Sequence, residues 1–193
     1  FVQGLKEAKK RVFDFYETDK DASIVHNNLK DMKDVLTYSL QYQKGAWVLH
    51  MLRNYIGEDN FRNGIRKYYK KYYNSNTTTE EFKLEMENAS GKDLDKFFDQ
   101  WLYKGGIIKL DVSWSYNKKL KQIEIDIDQI QNDGYLFEMP VDIELVNNDN
   151  KSIITQIFMD KKSKKYIISS DYSPKEIKLD PHIKLLADWN IKN

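Results

Sequence analysis

"LDKFFDQWLYKGGIIKLDVSW", residues 94–114, decides the fold. Up to about residue 105 the apolar residues follow the helical period, and from Ile107 the period is two. Gly105 and Gly106 terminate a last short helix, "LDKFFDQWLYK", which Asp93 is expected to cap. The switch places a boundary near Lys104–Ile107. Residues 1–105 are predicted as a helical unit and residues 106–193 as an antiparallel β-sandwich.

Upstream of the switch, Val2, Leu5, Val12, Phe13 and Tyr16 trace one face of a first helix ending near "ETDKDAS". A polar connection, "IVHNNLKDMKDVLTY" (24–38), leads to a helix in which Val48, Leu49, Leu52, Tyr55 and Ile56 form the buried stripe. Gly57 is its stop. A helix from about Asp59 turns Phe61, Ile65, Tyr68, Tyr69 and Tyr72 inward. "NSNTTTEEF" carries two overlapping capping boxes, Thr77 with Glu80 or Thr78 with Glu81, and the helix it starts ends at Gly91. Downstream, Ile123, Ile125 and Ile127 alternate with acidic residues, as do Met139, Val141, Ile143 and Leu145 with mostly polar ones. The clusters 132–134 and 147–150 are turns, and further strands are expected at "SIITQIFM", "KKYIIS" and "KEIKL". Short strands at this spacing indicate an antiparallel sandwich.

Composition narrows the function. Hydrophobic residues make up 40% of the 193 and charged residues 32%, with a net charge of +1, so no overall field draws the chain to nucleic acid or anionic lipid. No apolar run approaches the roughly 20 residues of a membrane span. Cysteine is absent, which excludes disulfides, thiolate nucleophiles and Cys-ligated zinc. The opening "FVQGLKEAKKRVFDFY" begins without Met and within a helix, so the chain is expected to be a piece of something longer.

Recognised catalytic patterns are missing. His26, His50 and His182 show no metal-binding spacing and no HExxH is present, so each is read as a structural or surface group. There is no G-x-S-x-G elbow, Walker loop or dinucleotide fingerprint. "GIRKYYKKYY" (64–73) combines lysine with tyrosine as single-stranded nucleic-acid binders do. At helical spacing, however, it reads as a core stripe with lysines at its margins, so no nucleic-acid partner is expected.

One pair stands out in "SLQYQKGAWVLHMLR" (39–53). Tyr42 and Gly45 sit one turn apart at the front of an apolar helix. A helix-interior glycine costs about 1 kcal/mol relative to alanine, so it often marks close approach by another backbone. Gly45 and Ala46 leave the helix surface thin, so the Tyr42 phenol can lean into a cleft. Tyrosine is common in this chain, and spacing alone does not make Tyr42 catalytic.

"YQKGAWVLHMLRNYIGEDNFRNGIRKYYKKY" (42–72) resembles the stretch after the zinc site in the aminopeptidase N family of zinc metallopeptidases. That family shows Tyr-x-Lys-Gly-Ala, a helix ending Leu-Gly-Glu, a Phe, and a Tyr-rich helix. The resemblance continues through "NTTTEEFKLEMENASGKDLDKFFDQWLYKGG" (76–106) into "IKLDVSW" (108–114), and weakly to "IKLDPHIKLLADW" (177–189). It implies an α+β two-domain fragment: the α-helical C-terminal half of a thermolysin-like catalytic domain, followed by an antiparallel β-sandwich. It further implies that Tyr42 stabilises the tetrahedral intermediate of peptide hydrolysis. In such enzymes zinc polarises the scissile carbonyl and activates water, and a glutamate is the general base. A neutral phenol donates to the developing oxyanion.

The departures qualify this expectation. The family's HExxH, its downstream glutamate ligand and its Gly-x-Met-x-Asn segment are absent from these residues and would precede Phe1. Zinc is therefore expected in the parent protein, with no ligands in this segment, and a peptide is expected as the parent's substrate. The isolated segment is predicted to be inactive. "GGIIKL" also carries isoleucine where the family places proline. The competing reading is a non-catalytic interaction scaffold with a peptidase-like fold. Lys44, although within the family motif, is assigned to the helix surface or to packing.

Overall fold

Leu5, Ala8, Val12 and Tyr16 are the buried residues of α1 (Val2–Tyr16), one stripe at helical spacing. Val2 is exposed and Phe13 only half-buried, so the inward face is rotated from the expected one and includes Ala8. The structure, a computed structural model, describes residues 1–26, 31, 37–131 and 134–192. Residues 27–30 and 32–36 of the polar connection, and Asn132 and Asp133 of the expected turn, lie outside the described residues.

A π-helical segment (Tyr38–Lys44) runs directly into α2 (Gly45–Ile56), which ends at Gly57 with φ of 90°. The buried side of α2 is Trp47, Val48, Met51, Leu52 and Ile56. Leu49, expected in the core, is 43% exposed, and Tyr55 is half-buried. The Trp47 indole N–H donates to the Leu5 carbonyl at 3.1 Å, so α2 is tied to α1 by a buried hydrogen bond.

α3 (Glu58–Lys71) packs on α4 (Thr79–Ser90) at a glycine. A Cβ at Gly64 would lie 2.7 Å from the Met86 sulfur, and Gly64 is the buried residue of α3. The tyrosine stripe is shallower than expected: Phe61, Ile65, Tyr68 and Tyr72 are half-buried, and Tyr69 is 66% exposed. Of the two overlapping capping boxes, Thr78–Glu81 forms, and Gly91 closes α4 in the left-handed region at φ 68°. Next come α5 (Asp95–Phe98) and a second π-helical segment (Asp99–Tyr103). Leu94, not Asp93, is the N-cap; the Asp93 carboxylate accepts from the Asp95 N–H at 2.9 Å.

The chain divides into two compact units, Phe1–Gly105 and Gly106–Asn193. The second unit holds β1 (Ile108–Asn117), β2 (Gln122–Gln129), β3 (Met139–Val146), β4 (Ser152–Met159), β5 (Ser163–Ser169), β6 (Glu176–Leu179) and β7 (Ala187–Lys192). They form two sheets, ordered β5-β2-β1-β7 and β4-β3-β6. Period-two alternation buries Ile123, Ile125 and Ile127 from one sheet and Val141, Ile143, Ile177 and Leu179 from the other. The architecture is thus α+β, helices followed by a β-sandwich. Its pairs are antiparallel except β1–β7, which is parallel and was not expected. Buried Gln129 closes the loop between β2 and β3: its amide donates to the Phe137 carbonyl (2.8 Å) and accepts from the Phe137 N–H (3.0 Å). Among the described residues, no helix is long and apolar enough to cross a membrane.

Candidate functional site

Tyr42 sits in the first π-helical segment, where the Gly45 N–H reaches the Leu40 carbonyl five residues back. The wide turn sorts its side chains sharply. Leu40 and Lys44 point into the helical unit, while Tyr38 and Tyr42 point out. Tyr42 is 58% exposed, and its ring stacks on Tyr38 with centroids 5.7 Å apart and planes at 29°. Among the described residues its hydroxyl makes no hydrogen bond, so the donor is available to a ligand.

Beside it lies a cleft of about 550 Å³, whose walls include Tyr42, Leu49, Leu52, Tyr68, Thr78 and Phe82. None of the described residues lining it is charged. A phenol at the rim of such a cleft can donate a hydrogen bond to a group seated in it. The exposed Leu49 is accounted for by this cleft.

Gly45 plays a different part from the one its sequence position suggests. Its backbone is ordinary right-handed helix (φ −57°, ψ −44°), and a Cβ there would come no nearer than 3.8 Å, to the Leu40 carbonyl oxygen. Among the described residues, no other backbone approaches it closely. The residue lines the cleft, and what it supplies is the lack of a side chain there. Close approach occurs instead at Gly105, where a Cβ would lie 2.6 Å from the Asp21 carbonyl carbon.

Lys44 is fully buried, with 0% exposure. Its Nζ donates to the Tyr16 hydroxyl at 2.7 Å and lies 4.9 Å from that ring's centroid, and Tyr16 donates to the Ala22 carbonyl at 2.7 Å. The sequence contains a signal for this burial: Leu40, Lys44, Trp47 and Met51 fall on one helical stripe, and the other three are core residues. Of the two places the sequence leaves open for Lys44, the helix surface and packing, the structure selects packing.

The histidines have local roles. The His50 ring packs edge-on to Phe1 and Trp47. His26 lines a small pocket with Asp19, Asp21 and Thr37, and His182 is exposed in the turn that precedes β7. Among the described residues, the group of metal-capable side chains that converges is Glu87, Asp93 and Asp95. Each already serves the backbone or an ion pair: Glu87 accepts from the Leu94 N–H, Asp93 from the Asp95 N–H, and Asp95 pairs with Lys83. These residues fit the ends of α4 and α5 rather than a zinc ion, which favours histidine and thiolate donors.

Residues 4–101 match the peptidase family M1 domain, and the chain belongs to that family. It is 32% identical over 121 residues to aminopeptidase N of Escherichia coli (strain K12), covering 60% of this chain and 14% of that protein. It is 28% identical over 152 residues to the tricorn protease-interacting factor F2 of Thermoplasma volcanium, covering 72% of this chain and 19% of that one. In structure, all of the chain superimposes on 23% of Legionella pneumophila aminopeptidase A, solved in complex with aspartic acid, with a TM-score of 0.77 and 18% identity. That likeness establishes the fold: a helical segment followed by a β-domain, as in part of an aminopeptidase. The chain thus spans less than a quarter of the length of each of these relatives.

Proposed function

We propose that this chain serves as part of a zinc-dependent aminopeptidase that removes N-terminal residues from peptides, with Tyr42 as the donor to the oxyanion. The observation that carries the reading is an outward-facing phenol, its hydroxyl without a hydrogen bond among the described residues, at the rim of a cleft whose described lining residues are uncharged, on the unit that matches the M1 domain. Among the described residues, the metal-capable group that converges does not suit zinc. The metal and the general base belong to residues outside these 193, and the segment by itself is inactive. The contribution of the chain is the donor and the wall beside it. As a peptide carbonyl becomes tetrahedral its oxygen gains negative charge, and a fixed phenolic O–H meets that charge without reorganisation.

The test is hydrolysis of L-alanine p-nitroanilide by the longest native form of the protein, before and after chelation. The expected result is activity abolished by a chelator and restored by zinc. A folded, zinc-supplemented parent with no hydrolysis on a panel of aminoacyl anilides would overturn the reading in favour of a non-catalytic scaffold.

A further inference from the structure

The turn that presents Tyr42 is built around a buried cation. Lys44 lies two residues further on, on the opposite side of the same wide turn, and is out of contact with solvent. Its ammonium donates to Tyr16 Oη, and the Tyr16 hydroxyl donates in turn to the Ala22 carbonyl, both at 2.7 Å. This line ties the π-helical segment to the C-terminal end of α1 and to the chain just after it. Taking an ammonium out of water costs several kcal/mol, and well-packed apolar residues of similar volume are often at least as stable. Packing alone therefore gives no reason for lysine at this position. A π-turn is also uncommon and persists where its surroundings over-determine it. Among the described residues, the determinants include Leu40 and Lys44 inside and the ring of Tyr16 under the ammonium.

We infer that Lys44, acting through the Tyr16 hydroxyl, is a positioning residue that fixes the π-helical turn and thereby the direction in which the Tyr42 phenol faces the cleft. The inference rests on the reading of Tyr42 as the oxyanion donor. Lys44 touches no reacting atom; it acts through the backbone it shares with Tyr42. Misplacing a catalytic group by an ångström costs up to about 100-fold in rate, which sets the scale of the effect.

A double-mutant cycle on the longest native form separates positioning from general stability. The variants are Lys44→Met, Tyr16→Phe and Tyr42→Phe, together with each of the first two combined with Tyr42→Phe. All are assayed on L-alanine p-nitroanilide, with unfolding transitions recorded in parallel. Lys44→Met is expected to lower kcat about 10- to 100-fold with KM changed less than about threefold. In the Tyr42→Phe background it should cost no more than about twofold further. Tyr16→Phe keeps the ring beneath the ammonium and removes the hydroxyl that accepts from Lys44 and donates to the Ala22 carbonyl. It should show a smaller kcat loss that also vanishes in the Tyr42→Phe background, and it decides the matter if Lys44→Met does not fold. Equal losses with and without Tyr42 would overturn the inference while leaving the donor reading intact. A Tyr42→Phe enzyme with parental kcat would remove the donor reading and this inference with it.

Discussion

At the scale of single residues, two glycines are set apart by what surrounds them. Gly45 has helical dihedrals and, among the described residues, only an ordinary van der Waals contact where a Cβ would go, whereas Gly105 has the Asp21 backbone there. Gly45→Ala is therefore expected to stabilise the helical unit by up to about 1 kcal/mol, through helix propensity. Gly105→Ala should destabilise by about 1–3 kcal/mol, through overpacking against a backbone that cannot yield easily. Urea unfolding of both variants beside the parent checks the pair. A destabilised Gly45→Ala would restore the idea that another backbone approaches there. That idea is what the sequence suggests, because the propensity cost of a helical glycine is visible in a sequence and the space around it is not. Lys44 shows the converse: its place on the Leu40–Trp47–Met51 stripe is legible, but its charge argues against burial until Tyr16 is seen beneath it.

At the scale of elements, local chemistry was the most readable. The Thr-Glu spacing marked the start of α4 and left two frames open; the structure selects Thr78, whose hydroxyl accepts from the Glu81 N–H while the Glu81 carboxylate accepts from the Thr78 N–H. Thr78→Ala should cost about 1 kcal/mol. Thr77→Ala should cost clearly less, since Thr77 only adds a hydroxyl contact to Glu81. Thermal melts of the two variants distinguish the frames, and equal shifts would contradict the assignment. The Thr78 backbone N–H first, and then the Thr77 hydroxyl, hold the Glu81 carboxyl below the ordinary glutamate value. Its contribution is present above that value and is lost as pH falls through the lower, folded-state one. Strands β2 to β6 were legible from alternation and turns. β7 was not, because "ADWNIK" becomes a strand by pairing with β1 some eighty residues earlier in the chain, a non-local contact that propensity does not encode. The π-helical segments were likewise hidden. Composition does not separate an i→i+5 turn from an α-turn; the packing of Leu40 and Lys44 does.

At the scale of the whole molecule, the period change at Gly105–Ile107 and the motif order made the class of fold readable, while the identity of the neighbours of each side chain was not. The sandwich contains an ion pair that illustrates this. Burial pushes the Asp142 carboxyl up, but the Lys184 ammonium (2.6 Å) and the Gln156 amide (2.8 Å) together hold it below the usual aspartate value. Its stabilisation is therefore complete above the ordinary aspartate value and is lost as pH falls through the lower, folded one. Asp142→Asn should cost about 1 kcal/mol at neutral pH, reduced by the partial exposure of Lys184. The difference from the parent should shrink to nothing in strong acid. Urea titrations at several pH values check this, and a difference independent of pH would contradict it. The proposed function turns on one oxygen atom. The most direct test is the steady-state kinetics of Tyr42→Phe in the longest native form, zinc-loaded and confirmed as folded. Loss of one oxyanion donor predicts a kcat about 100- to 1,000-fold below the parent with KM little changed. A kcat within about threefold of the parent would contradict the role assigned to Tyr42.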